Sequence, residues 1–192
     1  MKKIAVFASG SGSNFQALVD AAQANQLSYE IALLVCDKPG AYAIERADKV
    51  DVPSLVVSPK DFASKVDYEK EILQKLNDSG VELIVLAGYM RLIGETLLSA
   101  YEGRIVNIHP SLLPSFPGKD AIGQAFQAKV KVTGVTVHYV DEGMDTGPII
   151  AQEAVRMDED ETRESLEAKI HQVEHLLYPN VIQKLCSTNR NV

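Results

Sequence analysis

Short apolar runs alternate with stretches of helical spacing through the first half of the chain, and few architectures accept that alternation. The runs are Lys3–Ala8, Ile31–Cys36, Pro53–Val57, Leu83–Ala87 and Arg104–His109. Each is too short for an ordinary helix and largely apolar on both sides, as strands buried on both faces of a sheet are. Between them, Asn14–Ala24 carries Phe15, Leu18 and Val19 at helical spacing, and Ala41–Val50 reads as a second helix. Tyr68, Ile72, Leu73 and Leu76 mark one face of a third, closed by Gly80, and Glu95–Ala100 makes a short fourth. This repetition predicts a single α/β domain on a doubly wound, mostly parallel sheet. The remainder predicts a helix over Ala121–Ala128, then strands over Thr133–Val140 and Ile149–Val155, one of them antiparallel. A last helix runs from about Arg163 to Leu185. Asp158–Glu161 read as its solvated start, suited to the positive end of the helix.

A net charge of -7 over 192 residues argues against nucleic-acid binding, which needs a basic footprint. It leaves room for a small anion, because one loop binds phosphate whatever the global charge. No run is long enough for a membrane span. The apolar start at Ile4–Ala8 gives way to Ser and Gly too soon for a signal peptide. Cys36 and Cys186, far apart and outside any zinc-like spacing, read as unbridged thiols of a reducing compartment. A cytoplasmic protein is expected, with one domain over residues 1–192.

The last of the apolar runs leads into Asn107-Ile108-His109-Pro110-Ser111-Leu112-Leu113-Pro114. Residues two apart on a strand share a face, so Asn107 and His109 project together while Val106 and Ile108 turn the other way. Pro110 ends the hydrogen-bond ladder. Together Pro110, Pro114 and Pro117 turn the segment after the strand into a stiff, shaped loop. An Asn/His pair at the C-terminal end of such a strand lies where ligands bind in open parallel sheets. A second loop, Val140–Pro148, brings a carboxylate, Asp145, that can reach the imidazole. There is no nucleophile elbow and no metal-ligand spacing, so no metal is expected.

The three side chains suit transfer of an acyl group directly to an amine. Asn107 would donate its amide to the tetrahedral oxyanion, a contact worth about 3–4 kcal/mol where it has been removed elsewhere. Protonated His109 would stabilise the same charge and deliver a proton to the leaving nitrogen. Asp145 would hold the imidazole and favour its charged form. Gly10-Ser11-Gly12-Ser13-Asn14 lies between the first strand and the first helix, the anion-binding position of such folds. It begins like a dinucleotide fingerprint, but Phe15 stands where the third glycine belongs, and no Gly-Lys-Ser/Thr is present. Two readings stay open: a cradle for one phosphate with Ser13 and Asn14 as added donors, or an ordinary tight turn.

With Asp145 in Asp145-Thr146-Gly147-Pro148, the Asn107–Pro114 motif resembles the formyltransferases that use 10-formyltetrahydrofolate. The Gly10–Asn14 loop and the single-domain length narrow the resemblance to the phosphoribosylglycinamide formyltransferase family of purine biosynthesis. The likeness runs from Lys3 to about Pro179. It implies a Rossmann-like formyltransferase fold with C-terminal strands and helix. The phosphate-binding half would cover about residues 1–100, and the folate and catalytic half about 101–192. It implies that Asn107, His109 and Asp145 catalyse, and that Gly12, Ser13 and Asn14 hold the ribonucleotide phosphate. Glu174, helped by His171, would contact the ribose or glycinamide. Met90, Arg91, Leu92 and Ile93 would line the folate cleft. So would Asn107, Val140 and the loop of Asp141, Glu142, Gly143 and Met144. Lys65 stands where relatives often carry Arg near the folate tail, keeping the charge and losing the bidentate fork. Relatives often have His where Asp120 stands, so Asp120 is given no role. His138 shares a strand face with Thr136 and Val140, which leaves two readings, a pocket-lining side chain or, the one preferred, a structural one; His175 and Tyr178 are read as helix packing. By the same resemblance 10-formyltetrahydrofolate is a co-substrate, the partners are small molecules, and the protein is a monomer or weak homodimer.

Other readings share these features. A methionyl-tRNA formyltransferase has the same trio, but would need an RNA-binding surface and normally a further C-terminal domain. A formyltetrahydrofolate hydrolase usually carries an added N-terminal regulatory domain. From a different class, a nucleotide-binding module without catalysis would use the glycine loop and Asp37. That residue lies near the end of the second strand, where a dinucleotide's ribose is bound. Phe15 counts against it.

Overall fold

In the computed structural model, which describes residues 1–24 and 28–188, the five apolar runs become the parallel part of one sheet. They are β1 (Lys2–Ala8), β2 (Tyr29–Cys36), β3 (Ser54–Val56), β4 (Leu83–Leu86) and β5 (Ile105–His109). β1 lies between β2 and β4, with β3 outside β2 and β5 outside β4, all paired parallel. β6 (Val132–Tyr139) and β7 (Ile149–Arg156) extend the sheet to seven strands in the order β3-β2-β1-β4-β5-β6-β7. As the sequence predicts, one of the two strands is antiparallel: β6 runs against both β5 and β7, so β7 again follows the direction of β5. Between β6 and β7 the cause is the short loop, which permits only an antiparallel return. The expected domain runs to residue 192, and residues 189–192 lie outside the described residues.

The helices are α1 (Ser13–Ala24), α2 (Tyr42–Asp48), α3 (Lys65–Asp78), α4 (Glu95–Ala100), α5 (Ala121–Gln127) and α6 (Arg163–Ser187), with a 3-10 turn at Pro59–Asp61 that periodicity does not reveal. Caps set the starts. The Ser64 side chain accepts from the Asp67 N–H at α3, and Thr162 with Ser165 forms a reciprocal capping box at α6. The acids before α6 are more than solvated charge, because Lys169 bridges Asp158 and Glu161. Cys36 and Cys186 are buried and unbridged. No helix among the described residues is long and apolar enough to cross a membrane.

Two apolar layers flank the sheet. α1, α2 and α6 cover one face around Val6, Leu34, Val85, Val106, Ile108 and Val137. α3 and α4 cover the other around Phe7, Val35, Ile84, Leu86 and Ile105. β5 thus sends alternate residues to opposite layers, as strand geometry requires. The second layer reaches Ile105 and the partly buried Val140. Asn107 and His109 come after Ile105 on the same side of β5. The polar pair therefore stands where the helical cover runs out. The strand order also reverses between β1 and β4, whose succeeding helices lie on opposite faces. A crevice opens beyond the strand ends at such a reversal. Tyr178 on α6, fully buried, donates its hydroxyl to the Leu86 carbonyl at 2.8 Å, with the Val106 carbonyl at 3.3 Å. One side chain thereby ties α6 to both β4 and β5.

Candidate active site

The crevice has a volume of about 830 Å³, and residues expected for the reaction line it from end to end. Its centre is the end of β5. His109 is 5% exposed, with Nε2 2.8 Å from the Phe116 carbonyl and Nδ1 3.5 Å from Asp145 Oδ2. A carbonyl only accepts, so Nε2 carries a proton and donates. The other nitrogen faces a carboxylate. Acceptors on both sides suit the charged form of the ring.

The Phe116 carbonyl is held in turn. Ser111 Oγ donates to the Ser115 carbonyl, the Leu113 N–H donates to Thr136 Oγ1 at 3.0 Å, and Gln152 donates to the Leu113 carbonyl at 2.9 Å. The Leu113–Pro114 bond in this loop is cis. The proline-shaped loop after β5 is thus fastened to β6 and β7, and it fixes the His109 ring.

Asn107 pairs across the sheet with His138, and its Nδ2 lies 3.3 Å from His138 Nε2. His138 Nδ1 donates to the Tyr139 carbonyl at 2.7 Å. Its Nε2 therefore faces Asn107 and, at 3.7 Å, Asp145 Oδ1. In the neutral ring that nitrogen accepts from the Asn107 amide; in the charged ring it donates to Asp145. Of the two sequence readings of His138, the ring takes the pocket-lining position, touching two members of the trio.

Asp145 occupies the left-handed region at φ 56°, and the Gly118 N–H donates to its Oδ2 at 2.8 Å. Burial alone would raise this carboxyl. The hydrogen bond from Gly118 and the neighbouring imidazoles of His138 and His109 outweigh burial and hold it below the ordinary carboxylate range.

The far end is the loop between β1 and α1. Gly12 has φ +70°, and a Cβ there would stand 2.8 Å from the Ala43 Cβ. Only glycine accepts both the backbone conformation and the contact. α2 supports the loop from behind. The Ala43 N–H donates to the Gly10 carbonyl at 3.1 Å, and Arg46 Nε donates to the Ser11 carbonyl at 2.8 Å. Ser13 and Asn14 open α1, so their N–H groups belong to the unsatisfied first turn. Asn14 donates from Nδ2 to Glu174 Oε2 at 3.3 Å. Glu174 is 6% exposed, which excludes the exposed pairing with Lys169 that its helix position allows. Burial pushes its carboxyl up, with His171 and the Asn14 hydrogen bond opposing only in part. His171 lines the crevice and stacks on His175 with ring centroids 6.2 Å apart.

Between the two ends, Met90, Arg91, Leu92 and Ile93 form one wall and Val140, Asp141, Gly143 and Met144 the opposite loop. Met90 and Leu92 are large apolar side chains left exposed. Asp141 Oδ1 is occupied within its own loop, accepting from the Gly143 N–H at 3.0 Å and from Thr146 Oγ1 at 2.7 Å.

Two expected folate residues fall outside the lining. Lys65 is the exposed first residue of α3, and its chain packs beside Gly94. Glu142 is exposed between two lining neighbours. Its alternation with Asp141 and Gly143 turns it outward. Asp120 has a defined place. It caps α5 at φ 52°, accepts from the Gly123 N–H, and pairs with Arg163 at 2.6 Å on the crevice rim. Among the described residues, no cluster of three or more His, Cys, Asp or Glu could hold a metal ion.

Known proteins resemble the chain over nearly its whole length. The formyl transferase family matches residues 2–182. Phosphoribosylglycinamide formyltransferase of Bacillus subtilis is 59% identical over 189 residues, covering 98% of this chain and 97% of that one. The crystal structure of glycinamide ribonucleotide transformylase 1 from Geobacillus kaustophilus superposes with a TM-score of 0.95 at 65% identity, covering 97% of this chain and 100% of that one. The trifunctional purine biosynthetic protein adenosine-3 of Drosophila melanogaster is 45% identical over 186 residues, where 96% of this chain matches 14% of that protein.

Proposed function

The chain belongs to the formyl transferase family, and from that membership and the crevice we infer its reaction. It is an enzyme that transfers a formyl group to the amine of phosphoribosylglycinamide in purine biosynthesis. The donor is 10-formyltetrahydrofolate, taken as a co-substrate between the Met90–Ile93 wall and the 140–144 loop, whose exposed apolar side chains suit a flat ring. The ribonucleotide lies across the strand ends, its phosphate on the Gly12-Ser13-Asn14 amides and its sugar beside Glu174 and His171.

The amine attacks the formyl carbon and the carbonyl oxygen becomes an oxyanion. Asn107 has two amide protons. One is directed at His138, and the other is left for that oxyanion. His109, charged and held between Phe116 and Asp145, adds its field to the same oxygen. Its Nδ1 separation from Asp145, 3.5 Å, is an ion-pair distance longer than a good hydrogen bond, so a proton there is free to move to the leaving folate nitrogen. Collapse of the intermediate breaks the bond to that nitrogen and releases tetrahydrofolate. The proton lost by the attacking amine restores the imidazolium.

The observation that carries this reading is His109 between two acceptors, beside an amide whose partner is fixed. A spectrophotometric transfer assay with the ribonucleotide and a 10-formyl folate, run beside His109→Ala, tests it. Turnover in the native enzyme with folate binding retained but turnover lost in the variant supports the assignment; equal turnover in both removes His109 from the chemistry. The nucleotide-binding module loses its ribose partner, because Asp37 is buried and already paired to Arg91 at 2.6 Å.

A further inference from the structure

Asp37 takes no part in the chemistry above, yet its side chain is 1% exposed and ionic. A carboxylate is removed from water at such a site only when a partner holds it. The partner is Arg91, which comes from the segment after β4 and reaches back to the residue just beyond β2. The contact runs through Nε to Asp37 Oδ2 at 2.6 Å. It leaves the terminal nitrogens of a guanidinium that is 41% exposed in the crevice wall.

Two further residues of the same segment are fixed from behind. The Met90 N–H donates to Ser9 Oγ at 2.9 Å. The Tyr89 hydroxyl meets that of Tyr68 at 2.7 Å, and its ring stands edge-on to Phe7 at 5.3 Å. Asp37 supplies the charged contact of the three.

We propose that Asp37 is a positioning residue for the co-substrate. It fixes Arg91, and with it the Met90–Ile93 wall, and so sets affinity for the folate without touching it. This rests on the reading of that wall as the folate side. The acid that a dinucleotide site uses to hold a ribose is used here to hold a loop.

The test compares Asp37→Asn, Arg91→Ala and the double variant. Dissociation constants for a folate analogue and for the ribonucleotide are measured separately by calorimetry, beside KM and kcat. Asp37→Asn weakens the folate analogue about tenfold, a difference of about 1.4 kcal/mol, and leaves ribonucleotide affinity within about twofold. In the Arg91→Ala background, Asp37→Asn adds nothing further, because the two residues act as one unit. Folate affinity lost in Arg91→Ala but unchanged in Asp37→Asn overturns the proposal and leaves the wall standing. Folate affinity unchanged in both variants removes the wall from the folate site, and the proposal with it. Equal weakening of both ligands with a lowered Tm makes Asp37 a general stability residue and also overturns it. If Asp37→Asn does not fold, Asp37→Asn/Arg91→Gln removes both charges together and carries the same expectation for each ligand.

Discussion

Asp145 at the centre of the crevice and Glu174 toward the β1–α1 loop are both carboxylates withdrawn from water, with opposite results. Asp145 is surrounded by donors: the Gly118 N–H, His109 and His138. Its carboxyl is held below the ordinary range. Glu174, on α6, has one amide at 3.3 Å and an apolar helix interface, and its carboxyl is raised. Burial alone therefore tells little about a carboxylate; the donors within reach decide the sign. The two parts of the crevice differ in backbone as well. The loop proposed for the phosphate is wedged against α2 by Ala43 and Arg46, whereas Met90, Leu92 and Met144 on the side proposed for the folate stay 70%, 51% and 49% exposed. One part is shaped for a small constant group, and the other leaves apolar surface for a larger one to cover.

The strongest way to break this comparison is at the centre. His109→Ala should lower kcat by about 10²–10⁴-fold, the usual worth of a positioned acid or base, with both substrates still bound. A loss carried mainly in KM would move His109 from chemistry to binding. Next comes Gly12→Ala. The left-handed conformation costs about 1–2 kcal/mol with a Cβ, and the loop must also shift away from Ala43. The KM for the ribonucleotide should rise about tenfold or more while that for folate stays within about twofold. Equal rises in both would mean the loop is a general support.

A smaller effect separates the two carboxylates by pH. Asp145 ionises more readily folded than unfolded. It adds stability above its ordinary value of 3.8, and this stability is lost as pH falls through the lower folded value. Asp145→Asn should remove that acid-side slope from a plot of urea midpoint against pH. Glu174 works in reverse. Its folded carboxyl binds the proton more tightly, so stability falls as pH rises from 4.5 through the higher folded value. Glu174→Gln should therefore be the more stable protein at neutral pH, and parallel curves for native and variant would refute the assignment. Smallest of all, Lys65→Ala and Glu142→Gln should each change the folate KM by less than about twofold, because exposed charges outside a cleft contribute little. A larger change at either would bring that residue back into the site.

Much of the site was legible locally and little of it across distance. Period-two geometry placed Asn107 and His109 on one side of β5, and the βα loop position marked Gly12 to Asn14. His138 was left between two readings because its setting depends on facing Asn107 in the β5–β6 register, a pairing that no local pattern contains. Asp37 looked like a ribose ligand until the segment after β4 supplied Arg91. Phe116 and Gly118 act through backbone groups, which side-chain motifs do not display. Lys65, a charge matched by position along the chain, lies on the exposed first turn of α3, outside the crevice lining.

The hydroxyl of Tyr178 stands one helical turn beyond Glu174 and meets carbonyls of β4 and β5, the second of them adjacent to Asn107. In the proposed reaction, the interval between Glu174, beside the sugar, and Asn107, beside the formyl oxygen, is bridged by this buried hydroxyl. Two reactants from separate pools must meet within a bond length, and here the calibration of that gap belongs to the joint between helix and sheet.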